Sequence, residues 1–400
     1  MCGIVGVIDK NNTTTTKMVA AMSGCLQHRG PDDSGLYNDS TSGVHLAQQR
    51  LSLIDLSPAG HQPMQIGDDV LVYNGEIYNY QDIRQELAAV GIPCTGDSDT
   101  EVLLRAWQQW GVDCLQKCRG MFAFAVYNTT SCELTLCRDR VGVKPLYVYQ
   151  QGELLIFASE LKAILAHTEV RRELDHDALQ LYLQLGYVPD PYSIFKNIKK
   201  VLPAHILTID ADLEVTTASY WQPDSTPRTD HTEATALAEL EQIVTESCEL
   251  RMIADVPVGV FLSGGIDSSL VTAVLKKQGF ANLKTFTIGF QEATHNEATY
   301  AKAVAEHLGT EHHELMCTTK DAQAIIPKMP TMFDEPFADA SAIPTYLVSQ
   351  FAKKHVTAAL SADGGDELFG GYTRYLSGQN VMQKFQKLPP GIGWLIALAA

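Results

Sequence analysis

A chain of 400 residues has room for two hydrophobic cores, and its 45% apolar and 19% charged residues are those of a soluble globular protein. The formal net charge of −17 speaks against a broad nucleic-acid or anionic-membrane surface, while leaving open a local cationic pocket for phosphates. No apolar run reaches the roughly 18 residues of a membrane span, and no basic segment with an apolar stretch precedes Met1-Cys2-Gly3. With nine cysteines in no paired spacing, the expectation is a cytoplasmic protein with reduced thiols.

In chain order the first half reads as short strands and hairpins with a few helices. Ile4–Ile8 is an N-terminal strand. A helix over Gln81–Val90 stops at Gly91, and a second over Thr100–Trp110 follows an Asp97/Ser98 cap and stops at Gly111. Cys114 and Cys118 sit four apart at a helix end, and no second pair completes a zinc site. Met121–Tyr127 and Glu133–Cys137 form a hairpin through Asn128-Thr129-Thr130-Ser131, and Leu146–Tyr149 and Leu154–Phe157 form another at Gln151-Gly152.

The polar, proline-containing stretch from Gln222 to Thr232 reads as a linker. Beyond it helices and strands alternate: helix Glu233–Met252, strand Val256–Leu262, a helix from Asp267, strand Lys284–Phe290, helix Asn296–Leu308, a short strand His313–Leu315, helix Ser341–Lys354 and strand Val356–Ser361. Strands separated by helices predict a parallel, doubly wound sheet.

Two motifs sit at the ends of such strands. Ser263-Gly264-Gly265-Ile266-Asp267-Ser268-Ser269 lies where an apolar strand meets a helix, so glycine backbone, N–H groups at a helix start and two hydroxyls can all meet a phosphate. It is not a Walker A loop, because no lysine closes the turn. Ser361-Ala362-Asp363-Gly364-Gly365-Asp366-Glu367 follows another strand and comes out on the same sheet edge. Asp267 and Asp366 are therefore a candidate Mg²⁺ pair on bound phosphates. At the other end of the chain, loss of Met1 would leave Cys2 with both a thiol and a free α-amine, which can act as the base for its own nucleophile.

Met1–Gly6, His28–Asp32 (HRGPD), Gln49–Ser52 (QRLS) and Tyr73–Asn79 (YNGEIYN) together resemble the class II glutamine amidotransferases. With Ser263–Ser269 and Asp363–Tyr372 (DGGDELFGGY) added in order, the chain resembles the glutamine-hydrolysing asparagine synthetases from Cys2 to about Tyr375. That resemblance implies an α+β and α/β pair of domains. The first is an Ntn-hydrolase αββα sandwich over 2–210, followed by a 211–232 linker; the second is a doubly wound PP-loop ATP pyrophosphatase domain over 233–400.

The same resemblance implies that Cys2 forms a thioester with glutamine, that Asn74 and Gly75 make the oxyanion hole, and that Arg50, Glu76 and Asp99 hold the substrate's α-groups. Ser263, Gly264, Gly265, Asp267, Ser268 and Ser269 would hold the pyrophosphate of ATP. Leu262, Ile288, Ser361 and Ala362 would lie along the adenylate, and Asp363 would act near the activated acyl group. The implied ligands are glutamine, ATP with Mg²⁺, and aspartate, with no nucleic-acid or membrane partner and with a homodimer as a further expectation.

The match departs from the family at three places. Phe337–Ile343 has no arginine where the family carries Thr-Thr-Ile-Arg-Ala-Ser, and Asp363 stands where the family usually has Glu. The family's catalytic lysine belongs to a region past residue 400. Two alternatives therefore stay open beside aspartate as acceptor: another carboxylate, such as a sugar acid of a surface polysaccharide, or a truncated product that does not synthesise. The apolar run Ile392–Ala400 is expected to need a partner surface.

Overall fold

The computed structural model describes residues 2–227, 231–290 and 297–386. Met1, residues 228–230 of the expected linker, Asn296 at the start of an expected helix, and the run Ile392–Ala400 lie outside them. The chain divides into two compact units. One takes in the chain up to Pro257 together with Thr318–Ala358; the other takes in Val258–Cys317 together with residues from Ala359 onward.

Twelve strands of the first unit are β1 (Gly3–Asp9), β2 (Asp33–Asp39), β3 (Val44–Arg50), β4 (Met64–Ile66), β5 (Asp69–Ile77), β6 (Gly120–Asn128), β7 (Glu133–Arg138), β8 (Tyr147–Gln151), β9 (Leu154–Ala158), β10 (Ile198–Lys200), β11 (His205–Ile209) and β12 (Val215–Ser219). They form two antiparallel six-stranded sheets, ordered β10-β8-β9-β1-β3-β2 and β12-β11-β7-β6-β5-β4. Both expected hairpins are present as β6–β7 and β8–β9. In the first, the Asn128 side chain accepts from the Thr130 and Ser131 N–H groups and so builds the turn.

Alternation of side chains along these strands explains the layering. Ile4 and Ile8 of β1, Val70 and Val72 of β5, and Ala123, Ala125 and Tyr127 of β6 all enter one core, which fills the space between the sheets. The intervening residues face the other way. Val5 and Val7 pack with Val19, Met22 and Leu26 of the helical segment near Thr16–Gly24, and with Ile164. Leu71, Tyr73, Phe122 and Phe124 pack with Ile83 and Leu87 of helix Tyr80–Ala89 and with Val102–Leu104 of helix Asp99–Trp110. Strands buried on both faces, between two helical layers, make an αββα sandwich. β12 falls inside the 211–232 stretch and pairs with β11. Helix Glu233–Arg251 belongs to the first unit, with Arg251 stacked 4.9 Å from the Tyr78 ring and Arg119 paired with Glu246.

The second unit holds a four-stranded sheet of β13 (Val258–Phe261), β14 (Lys284–Phe290), β15 (Glu311–Cys317) and β16 (Ala358–Leu360), ordered β15-β14-β13-β16. β13–β14 and β14–β15 are parallel, with helices Ile266–Lys277 and Ala298–Leu308 as crossovers. β13 has the next strand in sequence on one side and the last on the other, so strand order reverses there. Open α/β sheets bind ligands at such a switch point.

Candidate active site

The first cluster is assembled at one end of the sandwich. β1 pairs with β3 through Gly3↔Gln49, so Cys2 falls just beyond the pairing, beside Arg50 and Leu51. The Leu51 N–H approaches the Cys2 Sγ at 3.4 Å, and the thiol lies 3.6 Å from the Leu51 carbonyl. Arg29 Nε donates to the Cys2 carbonyl at 2.8 Å. Cys2 is buried and shares a small cavity of about 20 Å³ with Arg50, Tyr73, Gly75, Glu76 and Asp99.

β5 delivers Asn74, Gly75 and Glu76. Its register with β4 stops at Leu71, which leaves one edge of β5 unpaired from there on. Two glutamines complete that edge at Tyr73: the Gln62 side chain accepts from its N–H at 2.7 Å, and Gln48 Nε2 donates to its carbonyl at 3.2 Å. The next residue, Asn74, is fully buried, and neither its Oδ1 nor its Nδ2 has a hydrogen-bond partner. Buried amides are almost always paired, so an orphaned one marks a site arranged for something other than stability.

The charged groups crowd together. Asp99 opens helix Asp99–Trp110 behind the Ser98 cap, and its Oδ2 accepts from Tyr73 Oη (2.9 Å) and the Ile77 N–H (3.0 Å). Burial outweighs those donors and lifts its carboxyl to about 6. Burial, then the neighbouring Asp99, lifts Glu76 well above the carboxylate range, with Lys144 and Arg50 pulling the other way. Burial also pushes the Cys2 thiol up; the Leu51 N–H opposes it, and Glu76 and Asp99 reinforce it. Arg50 is buried, and its guanidinium donates to the carbonyls of Ile54, Asp55 and Ser57. The loop carrying those carbonyls is tied down by Asp255, which accepts from the Asp55 N–H and donates its own N–H to Leu53, both at 2.8 Å.

Three participants were not legible as such. Arg29 lies inside the HRGPD motif, but nothing in the sequence points its side chain at the Cys2 carbonyl. Gln62 carried no signal. Lys144, buried at 2% exposure, is pushed down to about 8, first by burial and then by Arg29, while Glu76 and Cys2 favour its charge. The turn Arg138–Lys144 that places it is held by Asp139, which accepts from the Val143, Lys144 and Phe122 N–H groups. Phe122 is the partner of Gly75 across β5–β6.

The second cluster is in the other unit. Helix Ile266–Lys277 starts at Gly265, with Asp267 in its first turn. Ser263 Oγ and Ser268 Oγ are 2.9 Å apart, and the Gly265 N–H donates to Ser263 Oγ. Gly264 takes a left-handed φ of +81°, and the buried Ser269 Oγ has no partner. The acidic loop meets this one: a Cβ on Gly365 would stand 2.4 Å from Asp267 Oδ2, so a larger residue there would have to displace that carboxylate. Ser361 Oγ donates to Asp363 Oδ2 at 2.7 Å, and Asp366 lies in the first turn of helix Gly365–Phe369. Leu262 packs with Ala301 and Ala305, while its N–H bonds to the Phe286 carbonyl; Ile288 lies on β14, and Ala362 follows Ser361 in the loop after β16. Among the described residues no group of three or more His, Cys, Asp or Glu side chains is set to hold a metal. Mg²⁺ needs only one or two carboxylates beside phosphate oxygens and water; Asp267 abuts Gly365, and Asp366, the next residue of that loop, has its Oδ1 toward Gly371.

An αββα sandwich whose first strand starts at a buried cysteine, followed by a parallel sheet with a phosphate-type loop at its switch point, defines a two-domain amidotransferase class. Residues 1–221 match the glutamine amidotransferase domain and residues 239–400 the asparagine synthase domain. A Methanocaldococcus jannaschii protein, provisionally named a glutamine-hydrolysing asparagine synthetase, is 39% identical over 97% of this chain and 79% of its own. Asparagine synthetase 1 of Bacillus subtilis is 38% identical over 98% of this chain and 62% of its own length. Asparagine synthetase B of Escherichia coli is 32% identical over 96% and 67%. The chain belongs to the glutamine-hydrolysing asparagine synthetase family. It spans less than two thirds of the Bacillus relative. Among the described residues no helix is long and apolar enough to cross a membrane.

Proposed function

We propose that the chain hydrolyses glutamine at Cys2 and delivers the ammonia to a carboxylate, aspartate in the first instance, activated by ATP in the second unit. The observation that carries the first half is the buried Asn74 amide with no partner, next to Gly75 in the shell of Cys2. Its Nδ2 and the Gly75 N–H serve as donors to the oxyanion that forms when the Cys2 sulfur attacks the glutamine side-chain carbonyl carbon. The thiol proton passes by way of the α-amine, freed by Met1 removal, to the leaving nitrogen. The C–N bond breaks, ammonia leaves, and a glutamyl thioester remains. Water then cleaves the C–S bond, giving glutamate and restoring the thiol. Arg50 grips the α-carboxylate, while Glu76 and Asp99 meet the α-ammonium. A cavity of about 20 Å³ has room for roughly one water, so the site must rearrange to admit glutamine.

In the second half, the Ser263–Ser269 loop holds the pyrophosphate of ATP at the helix start, and Leu262, Ile288, Ser361 and Ala362 line the adenosine. Asp363 acts at the activated carboxylate. Asp267 and Asp366 would hold Mg²⁺, which neutralises phosphate charge when bound. The acceptor's carboxylate oxygen attacks the α-phosphorus, AMP becomes its leaving group, and pyrophosphate departs. The amidotransferase domain extends past residue 210 to take in β12, and the synthetase domain lies within 233–400, in a cytoplasmic enzyme that forms a homodimer. The missing arginine in Phe337–Ile343 supports one second reading, an acceptor carboxylate other than aspartate.

The test is Cys2→Ala. It abolishes glutamate release from glutamine and leaves ATP binding intact; retained glutaminase activity overturns the reading. AMP with pyrophosphate as products supports the second half, and ADP with phosphate overturns it.

A further inference from the structure

We propose that Glu160 and Lys162 are positioning residues for Cys2, acting through Arg29, with Asp334 anchoring the far end of the chain. The proposal rests on Cys2 being the nucleophile. Arg29 is buried to 9% side-chain exposure, and its fork is divided: Nε holds the Cys2 carbonyl at 2.8 Å, Nη1 holds Glu160 Oε1 at 2.7 Å, and Nη2 has no partner. A guanidinium is planar and rigid, so whatever fixes Nη1 also fixes the angle at which Nε reaches Cys2.

Glu160 is in turn held at its other oxygen by Lys162 Nζ at 2.8 Å, and it also meets the exposed His28 ring at 3.2 Å. Lys162 is fixed twice by one carboxylate: its N–H donates to Asp334 Oδ2 at 2.9 Å, and its Nζ lies 3.2 Å from Asp334 Oδ1. The Thr331 carbonyl accepts from the same Nζ at 3.2 Å. Next along, Glu335 accepts from the Ile194 N–H and pairs with Lys200 at 2.6 Å, which keeps the Asp334 backbone in place.

These groups line a cavity of about 370 Å³ on whose wall Arg29, Tyr147, Glu160, Lys200, Asp334 and Phe337 stand. Nη2 is enclosed without a hydrogen-bond partner, so among the described residues Glu160 is the one side chain bonded to the fork and sets the angle at which Nε meets the Cys2 carbonyl. Freed of it, the fork lets the nucleophile shift, and a misplacement of about 1 Å at a reacting atom can cost roughly a hundredfold in rate. None of the three residues touches the glutamine cavity, so substrate affinity is not their business.

The experiment uses the full chain and measures kcat and KM for glutamate release in Glu160→Gln, Lys162→Met, Asp334→Asn and the Glu160→Gln/Asp334→Asn pair. The proposal expects kcat to fall about tenfold to a hundredfold in Glu160→Gln and by less in Asp334→Asn, with KM within about threefold. The double variant falls no further than Glu160→Gln alone, because Asp334 acts through Glu160. If Glu160→Gln does not fold, Lys162→Met and Asp334→Asn carry the same kcat-against-KM test. Unchanged kcat with a lowered melting temperature, a rise in KM alone, or additive losses in the pair would overturn it. Cys2→Ala run alongside separates the two failures: activity surviving in Cys2→Ala sinks the nucleophile assignment, whereas a dead Cys2→Ala with normal kcat in the others sinks only the positioning chain.

Discussion

Replacing Asn74 by alanine should separate stability from activity. In the resting protein both polar atoms of that amide are buried without partners. Each such atom costs roughly 1–3 kcal/mol of lost hydration. Truncation removes both and leaves a void of a few tens of Å³, which at about 24 cal/mol per Å³ costs on the order of 1 kcal/mol. The sum leaves the variant as stable as the parent or more so. Catalysis should move the other way: loss of one preorganised oxyanion donor lowers kcat about 10²–10³-fold, equivalent to about 2.7–4 kcal/mol at the transition state. The assay pairs glutamate release with a thermal melt. A variant that melts well below the parent shows the amide to be an ordinary packing group. One that keeps most of its kcat shows that no oxyanion is stabilised there.

Gly60 abuts Arg50, where an added Cβ would stand 1.9 Å from Nη2 of a buried guanidinium, so Gly60→Ala should raise KM for glutamine about tenfold with a smaller change in kcat; an unchanged KM would remove Arg50 from substrate binding. Asp99, lifted to about 6 by burial, binds its proton more tightly folded than unfolded, so its contribution to stability falls as pH rises from about 4 to about 6. Asp99→Asn should flatten that part of the melting-temperature profile, and a profile as steep as the parent's would place the titration elsewhere. Asp267→Asn should weaken MgATP binding about tenfold by calorimetry while glutamate release stays at the parental rate, since the two clusters lie in different units; equal affinity in the variant would deny Asp267 the metal.

Much of the fold was written in local patterns. The β6–β7 turn carries its own Asn128 side-chain acceptor, and the helix at Asp99–Trp110 its Ser98 cap and Gly111 stop. β2, β3, β4, β5, β10, β11 and β12 went unread; β3, for one, is buried on both faces through nearly its whole length, so no polar–apolar alternation marks it. The site divides along the same line. Residues inside short motifs could be singled out, Ser263–Ser269 because a strand end meets a helix start there, and Asn74 and Gly75, which lie within β5, through the family resemblance of their motif. Glu160 reaches Arg29 across 131 residues and Asp334 reaches Lys162 across 172, so these groups come together only through long-range packing. No spacing rule encodes that.

The central claim, Cys2 as the nucleophile toward glutamine, is tested most directly by acid-quenching the protein during turnover and sequencing its peptides by mass spectrometry. The account predicts one glutamyl group on the peptide that begins at Cys2, with Met1 removed, released by hydroxylamine as a thioester would be. A glutamyl group on another residue, or steady glutamate release with no adduct on Cys2 at any quench time, would contradict it.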